Sequence, residues 1–146
     1  MNSGFLSFAH SLLRYGVLLF VLVAFLVSLR GLLLRRPILT WERMAAIIAV
    51  VLCHVQLVLG AILYMQNFQA ISRMEGAQLR FWKFEHIGTM VIAIVLVTLG
   101  RSLAKRATEE PLKQRRIAIF YGIALVLMLW AVPWPIRDVG HGLGWL

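Results

Sequence analysis

Cysteine, acidic residues and polar stretches are all scarce in this sequence. The single cysteine, Cys53, cannot form an internal disulfide, and six Asp or Glu residues stand against fifteen Lys or Arg. No spacing of residues matches a hydrolytic triad, a phosphate-binding loop or a zinc finger. Because no polar stretch is long enough to form a separate domain, we expect essentially no soluble part.

Long hydrophobic runs are what the sequence does have. The chain is 61% hydrophobic, whereas a soluble domain is usually about half apolar. A helix that crosses the hydrocarbon core needs about 20 apolar residues. With their flanking aromatic residues, the runs predict four spans, at about 5–29, 42–66, 80–103 and 115–133. Short connections between them predict an all-α integral membrane protein with a single domain, 1–146, folded as an antiparallel up-down four-transmembrane-helix bundle.

The first run differs from a signal peptide in two respects. It lacks a positively charged n-region, and no small-residue cleavage site follows its long apolar stretch. We therefore expect Met1 to Leu29 to be retained as a membrane span.

The net charge of +9 is concentrated in two connections. Ten of the fifteen basic residues flank the first and third connections: Arg30, Arg35, Arg36, Arg43, Arg101, Lys105, Arg106, Lys113, Arg115 and Arg116. Positively charged connections stay in the cytoplasm, so this placement predicts that both termini lie on the outer side. The charge is thus a topology signal, and the expected surroundings are a lipid bilayer with no nucleic-acid partner.

Three histidines fall within or beside three different predicted spans. Counted from the basic end of each span at about 1.5 Å per residue, His10, His86 and His54 lie roughly 30, 22 and 16 Å along their helices. All three are therefore expected between the middle of the membrane and its outer face. Polar side chains are expensive there and are candidates for function. Neutral imidazole is a ligand of haem iron, and two imidazoles from facing helices make a six-coordinate electron-transfer centre.

The spacing leaves open which histidines would hold a haem. His10 and His86 lie on helices that are diagonal partners in an up-down bundle, while His54 and His86 are better matched in height. A pairing of His54 with Met128 is a third arrangement. Arg14 follows His10 by four residues and shares its helix face, which makes it a candidate partner for a haem propionate. Arg14 is equally well explained as a side chain that reaches the outer headgroups.

Four segments together resemble a known family. They read "FAHSLLRY", "CHVQLVLGAILY", "WKFEHIGTMVIAIVLVTLGRS" and "RRIAIFYGIALVLMLWAVPW". They are similar, in order and spacing, to small four-helix bacterial membrane proteins of the "cytochrome B" family, and the likeness runs from His10 to Trp134. The stretch "QLVLG" also resembles the second-helix pattern in each half of haem A synthase. The resemblance implies a b-type haem and maps the family's three histidine segments onto His10, His54 and His86.

The expected function is that of a multi-pass b-type cytochrome in a bacterial inner membrane. Its haem b iron, in the periplasmic half, would relay single electrons, either in a quinol-linked oxidoreductase or as a subunit of a larger respiratory complex. Two alternatives remain. One is a cofactor-free accessory subunit whose histidines form internal hydrogen bonds. The other is a copper site that uses the imidazoles of His10, His54 and His86 directly. The sequence assigns no role to His141.

Overall fold

The computed structural model describes residues 4–140, and every regular element in that range is helical. The α-helices are α1 (Phe5–Leu33), α2 (Thr40–Gln66), α3 (Phe68–Ser72), α4 (Gly76–Arg80), α5 (His86–Arg106) and α6 (Glu110–Ala131). A π-helical turn, Phe81–Glu85, joins α4 to α5, and a 3₁₀ turn covers Asp138–Gly140. His141 lies outside the described residues.

Four helical stretches are long and apolar enough to cross a membrane. They are Phe5–Leu33, Thr40–Gln66, Gly76–Arg106 and Glu110–Ala131. Large apolar side chains cover their outer surfaces, among them Leu19, Val58, Ile92 and Val126. An apolar surface of this extent fits contact with lipid. The predictions of an all-α fold and of four helices able to span a membrane are confirmed.

Proline residues fix both ends of α6. The helix stops at Ala131, short of the end of the predicted span 115–133, because Val132 precedes Pro133 and is extended, with φ −68° and ψ 131°. At the other end, Pro111 lies in the first turn, where its missing N–H is not needed. The helix therefore begins earlier than the predicted span.

Small residues form the surfaces on which the long helices meet. Helix α1 packs against α2 and α6, and α5 packs against α6 and, less extensively, against α2. The fully buried small residues are Ala24, Ala46, Ala49, Cys53, Ala93, Ala124 and Ala131. Lipid tails are as apolar as leucine, so helices in a membrane associate through close packing and hydrogen bonds, and small side chains allow that approach.

Two contacts of α6 show how close this packing is. A Cβ atom at Gly100 of α5 would lie 2.6 Å from the Cβ of Phe120, so α5 and α6 meet almost backbone to backbone there. The next residue, Tyr121, is 0% exposed, and its hydroxyl donates a hydrogen bond of 2.8 Å to the Ala46 carbonyl of α2. The only polar atom of this buried ring is therefore satisfied across a helix interface.

A buried carboxylate organises the connection between α1 and α2. The Glu42 side chain is 3% exposed and forms an ion pair with the Arg36 guanidinium. It also accepts a hydrogen bond of 3.0 Å from the Leu39 amide. The hydrogen bond to Glu42 raises the pKa of Arg36 above its ordinary value. From α6, the Gln114 amide donates to the Arg36 carbonyl at 2.7 Å, which ties this connection to the start of α6.

Candidate cofactor site

His86 is the first residue of α5, directly after the π-helical turn. Its Nδ1 lies 2.8 Å from the carbonyl oxygen of Ala131, the last residue of α6. A carbonyl oxygen can only accept, so Nδ1 is the donor and Nε2 of the neutral ring keeps its lone pair. Ala131 has this carbonyl free because α6 ends there, and the last four carbonyls of a helix have no backbone partner within it.

Aromatic rings from the π-helical turn pack around the His86 imidazole. The ring centroids of Phe81 and Trp82 lie 5.9 Å and 5.7 Å from that of His86. Phe81 is only 2% exposed. Single π-helical turns are frequent at functional sites, and here the turn brings two adjacent aromatic side chains to one imidazole.

His10 of α1 is held against α2 by Gln56. The Gln56 side-chain amide donates to the His10 carbonyl at 2.9 Å, and the same nitrogen lies 3.3 Å from His10 Nε2. Because that nitrogen is a donor, Nε2 accepts and the ring proton is on Nδ1. Within residues 4–140, both His10 Nδ1 and Gln56 Oε1 are buried without a hydrogen-bond partner. Buried polar atoms are almost always paired, so each of these two atoms is open to a further hydrogen-bond partner.

A glycine lets the His10 ring lie close to α2. A Cβ atom at Gly60 would come within 3.1 Å of His10 Cε1. Gly60 lies one helical turn after Gln56, so both residues are on the helix face that meets His10. That face continues along α2 through Cys53 and Ala49, which are fully buried.

Arg14 completes a group with the two histidines. His10 interacts electrostatically with His86 and with Arg14, and His86 interacts with Arg14. The Arg14 guanidinium also donates to the Tyr15 hydroxyl at 3.1 Å and lies 5.8 Å from the Trp134 ring centroid. The structure thus brings together three of the four predicted site residues, His10, Arg14 and His86.

His54 is not part of this group. Its side chain is exposed on the outer surface of α2, and its Nδ1 lies 2.8 Å from the Val50 carbonyl one turn earlier. The preceding residue, Cys53, lies on the buried face of α2. Successive residues on an α-helix point about 100° apart, so His54 points away from that face. Met128 lies in the core instead. A role for His54 as an iron ligand stays a prediction that the structure leaves untested.

A copper site of three imidazoles finds no matching cluster in the described part of the chain. No three His, Cys, Asp or Glu side chains among residues 4–140 are grouped in a way that could hold a metal ion. A haem needs only two protein ligands, so this absence does not bear on it.

Sequence analysis did not identify the Ala131 carbonyl, Phe81 or Trp82 as parts of the site. Pro133 is a signal for the first, because it ends the helix and leaves the last carbonyls of α6 without partners within it. The π-helical turn that positions the two rings has no comparable signal in the sequence.

No family model matches this chain, and neither a curated protein nor a solved structure does. The resemblance to the "cytochrome B" family therefore stays a prediction. The function has to be inferred from the chemistry of the site.

Proposed function

We propose that this protein is a b-type cytochrome that holds one haem b through His10 and His86 and relays single electrons. The observation that carries the proposal is the arrangement of His86. Its Nδ1 donates to the Ala131 carbonyl and its Nε2 retains a lone pair, while His10 and Arg14 lie within electrostatic reach. A bound haem would supply a one-electron couple between ferric and ferrous iron.

The hydrogen bond from His86 to Ala131 prepares the ring for ligation. Metal-binding histidines almost always donate their other ring N–H to a carbonyl or carboxylate, which fixes the tautomer and raises the basicity of the ligating nitrogen. The Ala131 carbonyl has this role here, at 2.8 Å. Phe81 and Trp82 further restrict rotation of the ring by packing beside it.

His10 supports the proposal through a ring whose Nε2 the protein holds only by a contact of 3.3 Å with the Gln56 amide. Its Nδ1 is buried without a partner in the described part of the chain, and a buried unmet group costs about 1–3 kcal/mol. Gln56 holds the backbone of His10 through a hydrogen bond to its carbonyl. Helix α1 is thus fixed at this point. Iron binds an unprotonated ring nitrogen, so His10 would hold it through Nε2, while the Gln56 amide stays bonded to the His10 carbonyl.

Arg14 supplies positive charge at the same place. A haem has two propionates, and a guanidinium binds a carboxylate through two parallel hydrogen bonds. Tyr15 and Trp134 both contact the Arg14 side chain and hold its charged end beside the two histidines.

We further propose an antiparallel up-down arrangement in a bacterial inner membrane, with both termini in the periplasm. The basic connections would then face the cytoplasm, in accord with the positive-inside rule. The haem would lie in the periplasmic half. A single haem near one face cannot carry electrons across the whole bilayer, so a quinol-linked relay or a subunit of a respiratory complex fits this position best.

A cofactor-free accessory subunit is the second candidate. It is favoured by the fact that both histidines already make hydrogen bonds within the protein, His86 to Ala131 and His10 to Gln56. In that function the two rings would only join helices to one another.

Visible absorption of the purified protein separates the two candidates. The full chain, expressed with added haem precursor and purified in mild detergent, is expected to show a Soret band and sharp α and β bands on reduction. Quantification should give one haem per chain. Protein that is helical and monodisperse but has no Soret band would overturn the cytochrome and favour the accessory subunit.

A further inference from the structure

A cavity lies at the basic end of the long helices. It has a volume of about 390 Å³ and is bounded by α2, α5, α6 and the residues before α2. Arg101 on its wall is fifteen residues after His86 on α5, which corresponds to about 22 Å along the helix. The cavity is therefore separate from the candidate cofactor site.

Positive charge dominates the lining of this cavity. Four cations, Arg43, Arg101, Lys105 and Lys113, line it together with one carboxylate, Glu110, which leaves a net charge of +3. Glu110 is already bonded to Lys113 at 2.5 Å. Within residues 4–140 the other three cations have no carboxylate partner. Such a concentration of unpaired cations attracts an anion.

Arg101 gives a more specific indication of a ligand. Its Nε is buried and has no hydrogen-bond partner among the described residues. A charged donor removed from water without a partner is unfavourable. The planar guanidinium matches the oxygens of a phosphate group, so a phosphate in this cavity would satisfy the unpaired donor.

The rest of the cavity is apolar, and this identifies the kind of phosphate. Met44, Ile47, Ala104 and Ile117 line the cavity together with the cations. Inorganic phosphate makes no favourable contact with apolar side chains, whereas a phospholipid packs its glycerol and acyl chain against them. Basic pockets between membrane helices are known sites for anionic lipid headgroups.

We propose that this cavity binds the phosphate of an anionic phospholipid, with Arg43, Arg101 and Lys105 around the headgroup and the apolar wall beside the first carbons of an acyl chain. The proposal does not depend on haem binding.

The test compares two double variants of the delipidated full-length protein in detergent. Arg43→Gln with Lys105→Gln removes two cations from the cavity. The control, Arg35→Gln with Arg106→Gln, removes two cations from the same two connections at equally exposed positions that do not line the cavity. Native mass spectrometry then follows titration with dioleoyl phosphatidylglycerol, with dioleoyl phosphatidylcholine and with inorganic phosphate.

We expect one phosphatidylglycerol to bind the unchanged protein at least about tenfold more tightly than phosphatidylcholine, and the cavity variant to weaken that binding by about tenfold or more. The control variant should change it less than about twofold, because its charges lie outside the cavity and solvent screens their effect on a lipid bound there. Equal weakening in both variants, equal affinity for the two lipids, or displacement of the lipid by millimolar inorganic phosphate would each overturn the proposal. If the double variant does not fold, Lys105→Gln and its neighbour Arg106→Gln repeat the same comparison.

Discussion

Replacing His86 with alanine is expected to abolish haem binding. In the proposed site, His86 is the ligand whose orientation is fixed by the protein, through the hydrogen bond from Nδ1 to the Ala131 carbonyl. Without the imidazole, His10 alone would remain to hold the iron. Purified His86→Ala should have less than about a tenth of the haem of the unchanged protein, measured from the Soret band and from extracted haem.

His54→Ala is the matched control for this experiment. It removes an imidazole of the same size from a membrane helix, but from an exposed position where the ring bonds only the Val50 carbonyl of its own helix. Its haem content and reduced spectrum should equal those of the unchanged protein. If His54→Ala lost its haem while His86→Ala retained it, the ligand assignment would be wrong, and the exposed face of α2 would be the haem-binding surface.

The second large effect is expected on stability, from Glu42→Ala. The Glu42 carboxylate is 3% exposed, pairs with the Arg36 guanidinium and accepts a hydrogen bond from the Leu39 amide. Its removal leaves the Leu39 amide without its hydrogen-bond partner and deprives Arg36 of its counter-ion. We expect the free energy of unfolding to fall by about 2–3 kcal/mol, measured by titration with dodecyl sulfate and followed by helical circular dichroism.

Glu85→Ala removes an ion pair at the surface and is the comparison for Glu42→Ala. Glu85 pairs with Arg80, whose side chain is 72% exposed, and surface pairs contribute about 0–1 kcal/mol. The free energy of unfolding should therefore fall by less than about 1 kcal/mol in Glu85→Ala. Equal losses in the two variants would mean that burial of Glu42 does not organise the connection between α1 and α2.

The composition of the chain was sufficient to predict the four long helices. Hydropathy identifies a span without reference to its neighbours, since every apolar residue of a membrane helix suits either lipid or protein. For the same reason hydropathy does not say which face of α2 points inward. Small residues do carry that information: Ala46, Ala49 and Cys53 are fully buried along one face of α2.

That face explains why His10 and His54 have different surroundings. Continued along α2, it reaches Gln56 and Gly60, which contact His10, and it excludes His54. The position of each histidine along its helix predicts that all three lie in the same half of the membrane. It does not predict in which direction each side chain points around the helix axis. Combining height with the position of small residues would have favoured His10 and His86 from the sequence.

Other parts of the site depend on contacts that local sequence does not encode. The approach of His86 to the Ala131 carbonyl requires the end of α6 to lie beside the start of α5, which is a property of the packed fold. The π-helical turn at Phe81–Glu85 is likewise not marked by glycine or proline within it. The sequence shows the cations that line the anion-binding cavity only as basic residues in two separate connections. The packing of α2, α5 and α6 brings them together.

The measurement that tests the central claim most directly is electron paramagnetic resonance of the oxidised protein, purified with its haem. Two imidazole ligands make ferric haem six-coordinate and low-spin. We predict a low-spin signal in the unchanged protein and in His54→Ala, and its loss in His10→Ala and in His86→Ala. A high-spin signal in the unchanged protein, or a low-spin signal that persists when either His10 or His86 is replaced, would contradict the claim that these two side chains hold one haem.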